Sequence, residues 1–332
     1  MLKKLYLCMA LVLALAGVSA CGSDNEKASA EDGGRLHIVV TVFPVYDWLM
    51  NVLGEAAADA EVTLLVDNGT DLHSFQPSAK DLVEIADCDL LIHIGGTSDE
   101  WVSEAVSQYE NPDRIVISLI DLLGDAAKTE ELVEGMEEES GGWLVDLFAA
   151  EEEEETDEHV WLSLRNAALC TAEISAALSQ ADPERADLYA ENAGEFIAQL
   201  QELDGVFEEV VRAAAADTLL FADRFAFRYL TDDYDLQYYA AFPGCSAETQ
   251  ASFETILFLA EKVDELGLKY VMISESGDTD LAQTVIESTK TQDAQILVLD
   301  SMQSVTDEDI ADGTTYLGIM EENLDVLRQA LE

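Results

Sequence analysis

Two of the four histidines stand where metal ligands are commonly found. His73 lies in the segment GTDLHSFQPSAKD, after an apolar run that ends at Val66 and before the helix that follows Pro77. His159 lies in DEHVWLSLRN, just ahead of another predicted helix. Imidazole nitrogens together with carboxylates form a normal ligand set for Zn²⁺ or Mn²⁺. Since a loop histidine is more often a surface or capping residue, each one alone is weak evidence for a metal site.

The elements around His73 indicate an α/β fold. The run LHIVVTVF at 36–43 is apolar apart from His37 and Thr41, as expected for a strand that is buried on both faces. Strands alternate with helices in this half, which predicts βα units and a parallel sheet. The predicted strands are 36–43, 61–66, 89–94 and 114–118. Ligand groups cluster at the carboxyl ends of such strands, where His73 and His93 both fall. A packed strand residue remains the simpler interpretation of His93.

A long helix separates this half from a second α/β set. Asp182 and Pro183 supply an N-cap and a proline in the first turn, and the helix is predicted to continue to about Ala215. Its apolar residues from Phe196 to Val210 are spaced 4, 3, 4 and 3, which places them on one face. At 1.5 Å per residue the helix is about 45 Å long and can serve as a rigid strut. The strands predicted after it are 218–222, 237–241, 269–274 and 295–299.

These patterns predict two similar α/β lobes, each a parallel-type sheet flanked by helices, joined by one long rigid helix. The predicted parts are a signal peptide at 1–20, a lipidated cysteine and tether at 21–35, an N-terminal lobe at 36–181, a linking helix at 182–216 and a C-terminal lobe at 217–332. An acidic loop at 125–158 interrupts the first lobe. It holds EEEEETDE at 151–158, and a like-charge block of this kind is usually disordered and solvated.

The amino terminus indicates export. Lys3 and Lys4 precede an apolar stretch that is too short and wrongly flanked for a normal membrane span. The segment ends in LAGVSAC, which resembles the lipobox of bacterial lipoproteins and implies cleavage before Cys21 and lipidation of its thiol. An ordinary secretory signal followed by an unrelated cysteine is the alternative. We therefore expect a protein outside the cytoplasmic membrane, held to it by acyl chains.

Charge and cysteine content narrow the function further. A net charge of −53 argues against nucleic acid as a partner, because phosphate binding needs clustered Lys and Arg. It suits a protein that attracts cations, although adaptation of the whole surface to a demanding environment explains it equally well. Three cysteines remain after the signal and the lipidated residue: Cys88, Cys170 and Cys245. A Cys170–Cys245 disulfide is compatible with the sequence, which alone cannot establish it.

Several blocks of the chain carry a family resemblance. TVFPVYDW, VTLLVDNGTDLHSFQPSAKDLVEIADCDLLIHIGG, DEHVWLSLRNA and YLGIMEENLDVLRQAL occur in an order that resembles the metal-binding lipoproteins of zinc and manganese ABC importers, the cluster A-I solute-binding proteins. The resemblance covers about residues 36–330 and implies the same two-lobed fold. It implies that His73 and His159 are the first two metal ligands, both from the N-terminal lobe.

The remaining ligands depart from the family pattern. Where the family has a third histidine, this chain reads FADRFAFRYL, with Arg224 at the position of that histidine. Arginine is a cation and cannot ligate a metal. Asp223 is the natural substitute, unless it pairs with Arg224 or caps the following helix. For the fourth ligand the segment VMISESGDTD offers Glu275 first and Asp278 second, and each can equally be a solvated loop acid.

The resemblance implies a binding protein that captures Zn²⁺, or alternatively Mn²⁺, between its lobes and delivers it to an ABC permease in the membrane. We expect a monomer and no enzyme, since no H-E-x-x-H motif or similar zinc-hydrolase signature occurs. The missing third histidine leaves a cell-surface adhesin or a degenerate member without metal transport as an alternative. The acidic loop stands where zinc-specific members carry a metal-gathering loop, but it holds no histidine before His159 and fits a solvated spacer equally well.

Overall fold

The computed structural model describes residues 35–67, 69–109, 111–136, 155–246 and 250–332. The predicted signal peptide, the lipidation site Cys21 and nearly all of the tether lie outside these residues. Within the described ranges, no helix has both the length and the apolar composition needed to cross a membrane.

The first lobe is built on a four-stranded parallel sheet. Its strands are β1 Leu36–Val40, β2 Ala60–Leu64, β3 Leu90–His93 and β4 Ile115–Ser118, in the order β2-β1-β3-β4. The helices of this lobe are α1 Phe43–Leu53, α2 Ala79–Asp87, α3 Glu100–Gln108, α4 Leu119–Leu123 and α5 Leu164–Ala181. Ile38, Val39 and Val40 have no exposed surface, which explains why this part of β1 is continuously apolar rather than alternating.

The second lobe repeats this arrangement. Its strands are β5 Thr218–Phe225, β6 Gln237–Pro243, β7 Tyr270–Ser274 and β8 Gln295–Leu299, again parallel and in the equivalent order β6-β5-β7-β8. The long helix between the lobes is α6 Ala186–Ala213, and the helices after it are α7 Arg228–Asp233, α8 Phe253–Leu266, α9 Thr279–Ser288, α10 Asp307–Ala311 and α11 Tyr316–Ala330.

Helix α6 contains 28 residues and is therefore about 42 Å long. It begins after a 3-10 turn at Pro183–Arg185, three residues later than the proline predicts, and ends two residues before the predicted limit. Its buried residues lie on one face: Tyr189, Ala193, Phe196, Leu200, Leu203 and Phe207. This face packs against α5, α1 and α11, so the helix is anchored to elements from both ends of the chain.

The largest hydrophobic cluster contains residues of both lobes, and each lobe also has a smaller cluster of its own. The largest cluster of buried apolar residues runs from Ile38 in β1 to Leu331 after α11. At its centre the Trp161 indole Nε1–H donates to the Ser301 carbonyl at 2.9 Å, and the Tyr316 hydroxyl donates to the Trp161 carbonyl at 2.6 Å. These buried hydrogen bonds connect the segment beside His159 to the C-terminal lobe.

The structure confirms the predicted fold class. All eight predicted strands are present, and the ends of each differ from the prediction by a few residues at most. The prediction omitted the two five-residue helices α4 and α10, which are too short to show a helical period.

Candidate metal centre

Each site histidine is positioned by an aspartate two residues before it. His73 lies in a single 3-10 turn, Leu72–Ser74, where the Asp71 carboxylate accepts its backbone N–H at 2.9 Å. His159 directly precedes the turn Val160–Leu162, and Asp157 accepts its N–H at 2.8 Å. An aspartate commonly bonds the backbone two residues ahead, so the repeated Asp-x-His sequence fixes both turns locally.

The turns bring the two imidazoles together. His73 Nε2 and His159 Nε2 lie 3.3 Å apart. His159 is fully buried, and the His73 side chain is 12% exposed. Two nitrogens bound to one tetrahedral Zn²⁺ at 2.0–2.1 Å would be separated by about 3.3 Å. The observed spacing therefore suits a shared metal ion.

Acceptors lie behind each ring. Asp157 Oδ1 is 3.0 Å from His159 Nδ1, while His73 Nδ1 lies 2.8 Å from Ser98 Oγ and 3.5 Å from Glu158 Oε2. Ser98 N–H donates to the other Glu158 oxygen at 2.7 Å. Oε2 of Glu158 is buried without a hydrogen-bond partner among the described residues. A carboxylate at Nδ1 holds the proton there and leaves the Nε2 lone pair available for a metal.

The pKa values of the two rings shift in opposite directions. Burial, followed by the neighbouring His159, lowers the pKa of His73 to about 3. Burial opposes protonation of His159 as well, but the carboxylates of Asp157, Glu158 and Glu130 outweigh it and raise its pKa. Burial therefore favours the neutral form of His73, whereas the surrounding carboxylates favour the protonated form of His159.

Cys245 completes the group. Its Sγ and one nitrogen each from His73 and His159 all lie within 4.8 Å of one another, and among the described residues they form a three-membered cluster with metal-binding potential. Burial, followed by the charges of Glu130 and Asp157, raises the pKa of the Cys245 thiol. Cys170 and Cys245 are both free thiols, so the structure does not contain the disulfide that the sequence allowed.

The loop after β6 places Cys245 beside the histidines. A Cβ at Gly244 would come within 2.7 Å of the Phe225 carbonyl oxygen and 3.1 Å of His159 Cε1, so only glycine allows this approach without a shift. The Cys245 N–H donates to Glu130 Oε1 at 2.7 Å. Sequence reasoning missed this residue. The available signal was an unpaired thiol in an exported chain, shortly after the end of a predicted strand.

Asp223 lies in β5 and is hydrogen-bonded to the neighbouring strand β7. Its Oδ2 accepts the Ser274 backbone N–H at 2.8 Å and the Ser274 hydroxyl at 2.5 Å. Gly277 approaches so closely that a Cβ there would clash with the same oxygen. Asp223 is not part of the cluster that His73 and His159 form with Cys245, and its role as the substitute ligand stays a prediction.

The other two predicted carboxylates also have protein partners. Glu275 accepts backbone N–H groups from Ser301 at 2.7 Å and Gln303 at 3.0 Å, and so holds the loop after β8. Asp278 is exposed and caps α9 by accepting the Asp280 N–H at 2.8 Å. Neither belongs to the cluster that His73, His159 and Cys245 form.

Arg224 connects the lobes instead of entering the cluster. Its Nη2 lies 2.6 Å from Asp71 Oδ2, and the two side chains are 23% and 28% exposed. Asp71 uses its other oxygen for the His73 backbone. His93 lies elsewhere, with Nδ1 3.4 Å from Asp99 Oδ2, as expected for a packed strand residue.

The ends of the acidic loop are part of the site. Thr129 and Thr156 form an antiparallel bridge, and the Asp157 N–H donates to the Lys128 carbonyl at 2.9 Å. The Tyr229 hydroxyl accepts the Lys128 N–H and donates to the Asp157 carbonyl, both at 2.9 Å. These ends are ordered against the C-terminal lobe and are not a solvated spacer. Residues 137–154 of the loop lie outside the described residues.

Comparison with known proteins gives consistent matches. The sequence model of the family described as zinc-uptake complex component A, periplasmic, matches residues 38–330. The chain is 32% identical over 333 residues to the zinc-binding lipoprotein AdcA of Streptococcus pneumoniae, covering all of this chain and 62% of AdcA. It is 27% identical to the high-affinity zinc uptake system protein ZnuA of Bacillus subtilis, covering 95% of this chain and 93% of ZnuA.

A solved structure agrees with these matches. The Zn(II)-bound ZnuA-like domain of S. pneumoniae AdcA superposes with a TM-score of 0.69 at 28% identity, over 90% of this chain and 99% of that domain. The chain thus corresponds to that domain and spans less than two thirds of the full AdcA protein.

Proposed function

The chain belongs to the family of periplasmic zinc-uptake components, and on that premise we propose that it captures Zn²⁺ outside the cytoplasm and passes it to an ABC permease. The family consists of transport components and not of enzymes, in agreement with the sequence analysis. The ion is the cargo, held at His73 and His159.

One observation carries the proposal: the two buried Nε2 atoms stand 3.3 Å apart and each ring has an oxygen acceptor behind it. Without a proton or a cation between them, two nitrogen lone pairs at this distance would repel each other. A divalent metal resolves this, and Zn²⁺ binds nitrogen ligands more strongly than Mn²⁺ does. AdcA and ZnuA, which are named for zinc, support the same cargo.

The proposal includes the cellular setting. A lipid anchor at Cys21 would hold the protein at the outer face of the cytoplasmic membrane, close to its permease. The description of AdcA as a lipoprotein supports this anchor. The protein would act as a monomer, because the residues of the cluster all come from one chain.

Metal titration of the purified, chelator-stripped protein tests the proposal. We expect one equivalent of Zn²⁺ to bind tightly. His73→Ala and His159→Ala should each weaken binding by more than about 100-fold, because loss of a direct ligand should exceed the 10–100-fold effect of losing a residue that only hydrogen-bonds a ligand. His37→Gln is the matched control, because His37 pairs with Glu84 at 3.1 Å, away from the cluster. Unchanged affinity in both alanine variants, or no stoichiometric binding by the wild type, would contradict it.

Competition with Mn²⁺ in the same titration separates the proposal from its alternatives. Preference for Zn²⁺ supports zinc delivery. Preference for Mn²⁺ would identify a manganese-binding member of the same family, and binding of neither ion would favour an adhesin or a degenerate member.

A further inference from the structure

We propose that Cys245 is the third protein ligand of the cargo ion, replacing a histidine with a thiolate that comes from a different strand. The inference rests on the proposed function and makes the centre a His₂Cys site. Its consequence is chemical: a sulfur ligand favours Zn²⁺ over Mn²⁺.

Specific contacts hold Cys245 in its position. The residue follows β6, and its backbone N–H is fixed by Glu130 from the end of the acidic loop. Gly244 lets the loop approach the His159 ring at a distance that any side chain would prevent. Three separate segments of the chain therefore converge on one point, which a packed core cysteine would not require.

The neighbouring candidates are already engaged. Arg224 is a cation bound to Asp71 across the lobes. The Asp223 oxygen nearest the adjacent strand receives two hydrogen bonds from Ser274. Cys245 forms no disulfide, and its Sγ lies within 4.8 Å of a nitrogen of each histidine.

The geometry fits the ion that the family carries. Zn²⁺ binds thiolate sulfur at about 2.3 Å and imidazole nitrogen at 2.0–2.1 Å, in a tetrahedral arrangement. That arrangement puts sulfur about 3.5 Å from each nitrogen. Because the three ligand atoms lie within 4.8 Å of one another, the sulfur needs to approach each nitrogen by at most about 1.3 Å to reach it. On binding, the thiol proton leaves to solvent or a nearby carboxylate and the sulfur electron pair forms the bond to Zn²⁺.

X-ray absorption of the zinc-loaded full chain measures the inference directly. We expect one sulfur neighbour at about 2.3 Å in the wild type, and only nitrogen and oxygen neighbours in Cys245→Ala. Cys245→Ala should also weaken Zn²⁺ binding by about 100-fold or more. This loss exceeds the one expected for a residue that only hydrogen-bonds a metal ligand. The matched control is Cys88→Ala, because Cys88 is a free thiol buried in a separate apolar cluster. It should keep the zinc–sulfur signal.

Selectivity gives a second readout. Cys245→Asp replaces the soft sulfur with a hard oxygen, so the ratio of Mn²⁺ to Zn²⁺ dissociation constants should fall by at least about tenfold relative to wild type.

The two proposals fail in different ways. If the wild type binds one Zn²⁺ that depends on His73 and His159, but the spectrum shows no sulfur and Cys245→Ala binds equally tightly, the ligand assignment is overturned and zinc capture stands. If the wild type binds no Zn²⁺ stoichiometrically, zinc capture itself is overturned. An unchanged thermal midpoint in Cys245→Ala shows that any loss of binding comes from the ligand and not from unfolding.

Discussion

The two lobes have the same strand order but use their strand ends differently. In the N-terminal lobe, His73 and His159 face each other with acceptors behind them. In the C-terminal lobe, Asp223 and Glu275 stand at or near strand ends but bind backbone and side-chain groups of their own lobe. A strand-end position gives a side chain access to the cleft. Whether it can ligate a metal depends on which partners it already has.

The largest effect on Zn²⁺ affinity should come from the carboxylates that lie near the Nδ1 atoms of the two histidines. Asp157→Asn and Glu158→Gln keep the size of each side chain and remove its charge. We expect each to weaken Zn²⁺ binding by about 10–100-fold, because ring orientation and basicity depend on these carboxylates. Competition titration with a chelator of known affinity measures the change.

The control for that prediction is Glu173→Gln, which removes a charge on α5 away from the cluster. Equal affinities in wild type, Asp157→Asn and Glu158→Gln would mean that the N-terminal lobe holds its histidines by packing alone.

Gly244 tests how the C-terminal lobe reaches the site. Gly244→Ala forces a Cβ against the Phe225 carbonyl and the His159 ring, so it should cost about 1–3 kcal/mol of stability and weaken Zn²⁺ binding. Gly205→Ala on α6 meets no heavy atom within 4 Å and should instead stabilise by up to about 1 kcal/mol. Chemical denaturation of both variants measures the contrast, and similar behaviour would disprove the close approach.

Asp223 should affect stability and not binding. Asp223→Ala leaves the buried Ser274 N–H without its acceptor, which costs about 1–3 kcal/mol, while Zn²⁺ affinity stays within about fivefold. Asp278→Ala removes an exposed helix cap and should cost about 1 kcal/mol. Denaturation and metal titration on the same samples separate the two quantities. Loss of Zn²⁺ binding in Asp223→Ala would restore this residue as a ligand.

The smallest effect should come from the ion pair between the lobes. Arg224→Met breaks the contact with Asp71, and because both side chains are about one-quarter exposed, the stability change should stay below about 1 kcal/mol. Arg212→Met, which breaks a surface pair with Glu208 on α6, is the control. A large gain in Zn²⁺ affinity in Arg224→Met alone would show that the arginine obstructs the site.

The fold could be predicted well because its signals are local. Continuous apolar runs specify buried parallel strands such as β1, and a one-faced apolar period specifies α6. His73 and His159 could be selected because the blocks of sequence around them carry the family resemblance, and the structure adds that an Asp-x-His turn holds each one. The roles of the carboxylates were harder to predict. Asp223 and Glu275 bind residues that are distant in the chain, and the sequence does not show these partners.

The sequence by itself therefore determined the two-lobed α/β architecture and the linking helix, since apolar period acts over a few residues, and its family resemblance predicted the two histidines. Only the tertiary structure decided what surrounds those histidines. It placed Cys245 beside them, engaged Asp223 with Ser274 and paired Arg224 with Asp71. These contacts join residues from 51 to 172 positions apart, and no local pattern encodes such distances.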